Sequence, residues 1–193
     1  MKLILMGPPG AGKGTQAAVV ADKLGVPAVS TGNIFRSNVA QGTPLGHEAQ
    51  RYLEAGDYVP DAVTNELVRD RLGQEDARAG FVLDGYPRTL AQVEELDAIL
   101  ADLGTDLDAV ILLDVDREEV IARLLSRART EGRADDTEDV IRRRQDVFAK
   151  QTAPLVDVYE QRGVLVRVDG IGEVDEVRAR VLAALPQPAN GSR

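Results

Sequence analysis

Within Gly7-Pro8-Pro9-Gly10-Ala11-Gly12-Lys13 three glycines and two prolines lead into one lysine, and that combination suits an anion. Glycines let the backbone curl until successive N–H groups converge, a helix starting directly behind adds its positive end, and Lys13 adds a mobile charge. A polyphosphate gains from all three effects. The position after the lysine, where a phosphate loop ordinarily carries a serine or threonine for magnesium, is Gly14, and the hydroxyl follows one place later at Thr15. The metal then calls for another group. Asp84, closing an apolar run, is the carboxylate expected to meet magnesium directly or through water, as strand-end aspartates do in phosphoryl-transfer folds. Asp114 competes for the role, although capping a helix or ending a strand accounts for it better than a metal does.

Phosphoryl transfer crowds negative oxygens together, so arginines in unusual places carry information. From Thr137 onward the apolar stripe is Val140, Ile141, Val147 and Phe148, and at about 100° per residue Arg144 falls in its middle. A guanidinium there either pairs with an aspartate or faces a ligand phosphate. Arg123 and Arg127, one turn apart, flank the stripe of Val120 and Leu124 and reach over one edge of the sheet or simply into solvent. Arg133 sits in a short polar insert from which it could swing onto a nucleotide. Asp84-Gly85-Tyr86-Pro87-Arg88-Thr89 follows a strand directly, and its glycine and proline build a turn that presents Arg88 at the carboxyl edge, where open α/β sheets bind ligands. Thr89 and Gln92 form a T-x-x-Q capping box, which explains both without a ligand and excludes no second role.

These groups need a frame. The apolar runs Lys2 to Met6, Pro27 to Val29, Phe81 to Leu83, Ala109 to Val115 and Val164 to Val168 read as buried strands, and helical spacing fills the intervals after the first, third and fourth. Such alternation predicts an α/β fold with a five-stranded parallel sheet and helices on both faces. Thr31 to about Leu72 reads as several helices without a strand, and Arg127 to Asp136 as a short polar insert. Residues 186–193, with two prolines and small polar residues, are expected to be a frayed tail.

The 193 residues suit one domain. The formal charge of −9 argues against a general nucleic-acid or anionic-membrane binder, so any phosphate site must be locally basic. Zero cysteines exclude disulfides, thiol catalysis and a cysteine zinc site, and suit a reducing compartment, with cytoplasm the expectation. No apolar stretch approaches the length of about 20 residues that a membrane span requires. His47, the single histidine, suggests a surface residue.

In sequence the chain resembles the adenylate kinases along nearly its whole length. The resemblance rests on Gly7 to Gln16, Ser30-Thr31-Gly32, Asp84 to Thr89, Gly132-Arg133-Ala134-Asp135-Asp136 and Thr152-Ala153-Pro154-Leu155, in the family's order. The Gly14-Thr15 shift is what that family shows. The resemblance implies a P-loop three-layer core (about 1–29, 60–126 and 137–185), a helical AMP-binding insert (30–59) and a short lid (127–136). It implies an enzyme for reversible, Mg2+-dependent transfer, ATP and AMP giving two ADP, serving nucleotide biosynthesis and adenine nucleotide homeostasis; oligomeric state is left open, with monomer the default. By similarity Gly10, Ala11, Gly12, Lys13, Gly14 and Thr15 hold ATP, with Arg123 and Arg127 beside it and the backbone near Gly172 touching the donor base. AMP falls to Thr31, Arg36, Asp57, Tyr58, Val59, Gly85, Tyr86, Pro87, Arg88 and Gln92, with Gln92 reading the adenine edge. Arg133 and Arg144 bridge towards the acceptor phosphate, and Lys13, Arg88, Arg123, Arg127, Arg133 and Arg144 form the catalytic set. Asn33 stands where many relatives are acidic, and the long, sometimes zinc-bearing lid of many bacterial members is missing. The rival readings are a kinase for UMP, CMP or GMP, a slowly hydrolysing P-loop switch, and a relative that has lost catalysis.

Overall fold

The computed structural model describes residues 1–131 and 137–186. Arg133, Asp135 and Asp136 of the expected lid, and the expected tail from residue 187, lie outside the described residues. Five parallel strands, β1 (Lys2–Met6), β2 (Ala28–Ser30), β3 (Phe81–Asp84), β4 (Ala109–Asp114) and β5 (Leu165–Asp169), stand in the order β2-β3-β1-β4-β5. The expected α/β architecture is the one found. β2 begins one residue later than the apolar run because its pairing with β3 runs from Ala28 to Ser30, and β3 extends to Asp84 for the same reason.

Period-2 alternation divides each strand between two helical layers. Ile4 and Met6 face one core with Val29, Leu83, Val110 and Leu112, covered by Val68 and Leu72 of α4 (Asp61–Leu72), Leu96 of α5 (Leu90–Asp102) and Tyr159 of α8 (Leu155–Gln161). Leu3 and Leu5 face the other with Val82, Ile111 and Leu113, beneath Ala17, Val20 and Ala21 of α1 (Lys13–Leu24) and Val177 and Val181 of α9 (Val174–Ala183). Strands covered on both faces show as the near-continuous apolar runs in the sequence.

Between β2 and β3 the chain leaves the sheet as α2 (Thr31–Gln41) and α3 (Pro44–Ala55) before α4, and Phe35, Ala49 and Val59 give that excursion a small core of its own. A second satellite core, Ile121, Leu124 and Ile141, joins α6 (Arg117–Glu131) to α7 (Glu138–Val147). A π-helical turn, Phe148–Thr152, follows α7 and redirects the chain into α8. No helix among the described residues is long and apolar enough to cross a membrane.

α2 and α3 meet at Gly46, where a Cβ would stand 2.2 Å from the carbonyl oxygen of Asn38. Gly46→Ala is therefore expected to part the two helices and cost about 1–3 kcal/mol in thermal or denaturant unfolding. At Gly73 the backbone is right-handed helical (φ −72°) and an added Cβ meets only ordinary contacts at 3.4 Å and beyond. Gly73→Ala is expected to be neutral or to stabilise by about 0.4–1 kcal/mol, which makes it the control.

Candidate active site

The order of the strands makes the site. β1 sits between β3 and β4, and in its pairing with β3 Leu5 stands level with Asp84, which in turn stands level with Ser30 of β2. Three strand ends thus deliver the loop after Met6, the turn after Asp84 and the start of α2 to one crevice, the place where the chain's connections reverse direction across an open sheet.

Gly10 adopts φ +93°, and a Cβ there would lie 2.8 Å from the Val120 carbonyl oxygen, so the loop lies directly against α6. Behind Gly12 (φ +88°) α1 begins with no side-chain cap and no acidic residue in its first turn, which leaves the positive helix end for a ligand. Ala11 is buried, and its N–H closes a turn on Pro8 O at 3.1 Å. Lys13 folds back over the loop, its Nζ donating to Gly7 O (2.8 Å) and Pro8 O (2.9 Å).

The charge around that amine is unusual. Burial lowers the Lys13 pKa to about 8, Asp84 opposes the shift, and Arg88, Arg144 and Arg127 add to it. Four cations therefore share one neighbourhood in a chain of net charge −9. The cleft carrying them is lined by Gly10, Gly12, Gly14 and Thr15 on the loop side, by Asp84, Gly85 and Arg88 on the turn side, and by Arg36, Arg123, Arg127 and Arg144. Arg123 reaches it from α6, donating to Glu119 Oε1 (2.8 Å) and to Gly170 O (3.1 Å). Arg36 is held by the neutral amide of Asn33, Nη2 to Oδ1 at 2.7 Å. The asparagine that departs from the family pattern thus meets this arginine with an amide that carries no charge of its own.

The Asp84 carboxylate accepts from Ser30 Oγ at 3.0 Å, and a Cβ at position 14 would stand 3.4 Å from the same carboxylate. That distance is an ordinary contact, so position 14 adjoins the carboxylate without the space itself requiring glycine. Asp84, Ser30 and Thr15 offer hard oxygen donors beside the cleft, a set that suits magnesium, which retains waters and phosphate oxygens as further ligands. Asp114 is exposed and does not line the cleft; its carbonyl accepts from Gly170 N at 2.8 Å as β4 and β5 end together.

The turn after β3 is built around Gly85 (φ +78°), whose carbonyl accepts from Thr31 Oγ1 (2.9 Å) and Arg88 Nε (2.6 Å), and the Tyr86–Pro87 peptide is cis. Arg88 also lies 4.8 Å from the centre of the Tyr58 ring, a cation–π contact. The single hydroxyl proton of Thr152 goes to Arg88 O (2.9 Å), so in the 2.7 Å contact between Tyr58 and Thr152 it is Tyr58 that donates. Tyr86 packs its ring in the core with its hydroxyl on Asn65 Oδ1 (2.9 Å), and burial raises its pKa.

A smaller pocket opens beside Arg88, lined by Thr31, Phe35, Leu53, Asp57, Tyr58, Val59, Gly85 and Gln92. Gln92 is buried, with Oε1 accepting from Arg88 N (2.7 Å) and Nε2 donating to Asp61 Oδ1 (2.7 Å). Thr89 Oγ1 accepts from Gln92 N, as its capping role requires, and donates to Asp61 Oδ2. Only the Thr89 half of the expected capping box forms, because the Gln92 side chain accepts from Arg88 N in place of Thr89 N.

Gly172 does not line the cleft; it adjoins the segment that Arg123 grips at Gly170. Sequence reading missed Asp61 and the buried Gln145, and it quoted Gln16 and Thr152 within motifs without giving either a role. Gln16 donates to Val174 O (3.2 Å) and ties α1 to the start of α9. Gln145 stands four residues after Ile141, on the stripe already recognised, and a polar residue at that spacing was the available signal.

The family model for adenylate kinase matches residues 5–164. The chain belongs to the adenylate kinase family. Its relatives include the adenylate kinases of Nocardioides sp. (63% identical over 185 residues, 96% of this chain and 97% of that protein) and Kocuria rhizophila (62% over 184 residues, 95% and 98%). The adenylate kinase of Thermobifida fusca is 58% identical over 189 residues, 98% of this chain and all of that protein. As a member of the adenylate kinase family the chain is a nucleotide-binding phosphotransferase.

The Lys13 pKa gives a test of the charge cluster. Its folded value near 8 lies below the ordinary 10.5, so the unfolded chain binds the extra proton and ligand-free stability rises, through this group, as pH climbs from about 8 to 10.5. NMR titration of the side-chain amine is expected to find a midpoint near 8 without ligand and a clear upward shift with bound ATP, because polyphosphate favours the charged form.

Proposed function

We propose that this protein transfers the terminal phosphoryl group of magnesium-bound ATP to AMP, reversibly, giving two ADP. The observation that carries the reading is the meeting of Lys13, Arg88, Arg127 and Arg144 around one point between the phosphate loop and the Gly85–Arg88 turn. That much positive charge at one cleft suits a ligand that brings anionic groups to it from both sides. The loop and Thr15 supply a donor side; Thr31, Arg36, Val59, Arg88 and Gln92 supply an acceptor side. We assign residues 30–59 as the acceptor insert and 127–136 as the lid that contributes Arg133.

The chemistry follows from placement. Donor and acceptor carry their own leaving group and nucleophile, so the protein aligns them and stabilises charge, which favours direct in-line transfer. Lys13 leaves Gly7 O and Pro8 O to follow the moving group, Arg88 stays on the acceptor phosphate against Gly85 O, and Arg144 spans the two. Bound magnesium would neutralise phosphate charge, and Asp84 with Thr15 would hold it, partly through water.

Base choice rests on Gln92. Asp61 is an acceptor and Arg88 N a donor, so the Gln92 amide cannot flip without losing both bonds, and its second N–H and second lone pair face the ligand in one fixed order. A fixed donor–acceptor order supports recognition of one base, and adenine is the assignment. We place the protein in the cytoplasm as a monomer.

Purified protein with magnesium and ATP, offered AMP, GMP, UMP, CMP or no acceptor, is expected to form ADP rapidly with AMP alone. Rapid product with another acceptor would reassign the base, and slow hydrolysis without any acceptor would replace transfer by a switch-like activity. Arg144→Ala is expected to lower kcat by about 10³-fold or more with the melting temperature held within a few degrees. A large fall in melting temperature with little loss of activity would make Arg144 a structural residue.

A further inference from the structure

Gln145 is 4% exposed, stands beside Arg144 on α7, and donates from Nε2 to the carbonyl of Pro9 in the phosphate loop at 2.8 Å. Its place in the loop's hydrogen bonding is what sets it apart. Pro8 and Pro9 have no N–H, so the first half of the loop is secured largely by what its carbonyls accept. Gly7 O and Pro8 O accept from Lys13 Nζ, and Pro8 O accepts also from Ala11 N. If Lys13 turns to a phosphate, Gly7 O and Pro8 O lose its bonds at the moment the loop must keep its shape. The Pro9 bond comes from a different helix and does not depend on Lys13.

That helix has other attachments. Ile141 packs α7 against Ile121 and Leu124 of α6. Gly56 at the end of α3 lies against α7 so closely that a Cβ would meet Val140 O at 3.0 Å, and Arg143 pairs with Asp57 at 2.7 Å. Gln145 therefore joins the donor loop to the element that carries Arg144 and receives the acceptor side.

We propose that Gln145 is a positioning residue for the donor nucleotide: it holds the phosphate loop at the height of Arg144 through Pro9 O, independently of Lys13. It touches no reacting atom. The role rests on the transfer reading above and adds a residue to it. Losing the donor leaves the partly buried Pro9 carbonyl without this partner, a defect confined to the loop, so the effect falls on ATP and spares AMP.

The test compares the full-length protein with Gln145→Met, of similar length and without a donor. The KM for ATP is expected to rise about tenfold, with the ATP dissociation constant by calorimetry rising in step, the scale of one lost hydrogen bond. The KM for AMP is expected to stay within about twofold and the melting temperature within a few degrees, a split that generalised unfolding does not produce. Unchanged ATP binding, or equal weakening of both substrates, overturns the proposal. If Gln145→Met does not fold, Gln145→Glu, which keeps the shape and presents a carboxylate to the carbonyl, is judged by the same split. A wild-type protein that binds ATP yet phosphorylates no monophosphate overturns the transfer reading, and calorimetry on the variant then still decides the part played by Gln145.

Discussion

Mutual repulsion among Lys13, Arg88, Arg127 and Arg144 is the constraint around which this structure is organised. Left to themselves, such side chains would spread into solvent or pair with some of the 32 acidic residues in the chain. Two of them rest on neutral carbonyls: Lys13 on Gly7 O and Pro8 O, and Arg88 on Gly85 O. A carbonyl directs a cation without cancelling it, so the positive potential survives for a ligand. The Lys13 pKa is depressed first by burial, and the neighbouring arginines add to the shift.

A positive focus has to be anchored, and the sheet does the anchoring. β1 is flanked by paired strands on both sides, and β2 and β3 end level at Ser30 and Asp84, so the loop and turn leave the sheet from fixed points. Burial on both faces makes those strands stiff. What leaves them is irregular backbone held by specific bonds, which suits parts that bind, release and move.

Layers of support follow the same logic outward. Asp61 fixes the Gln92 amide, Thr152 fixes Arg88 O and receives the Tyr58 hydroxyl, and the π-helical turn brings Thr152 into range. None of these supporting groups needs to touch a substrate to matter. A shift of one ångström in a positioned cation changes its interaction with a developing charge far more than the loss of a distant surface pair would.

Local chemistry legible in the chain determined a good deal. Two-faced strands must be apolar runs, a phosphate loop must be rich in glycine, and a lysine before a helix must face its N-terminus, so the sheet, Gly7–Thr15 and the turn at Asp84–Arg88 were all readable from types and spacing. Periodicity also placed Arg144 on an inward stripe, though it could not choose between an ion pair and a ligand. Only the tertiary structure decided which long-range groups meet: Asp61 with Gln92, Tyr58 with Thr152, Gln145 with Pro9. Those pairs are 31, 94 and 136 residues apart. A hydrogen bond across such a separation leaves no periodic mark in one sequence, because it depends on where whole helices come to rest and not on the spacing of residues along any one of them.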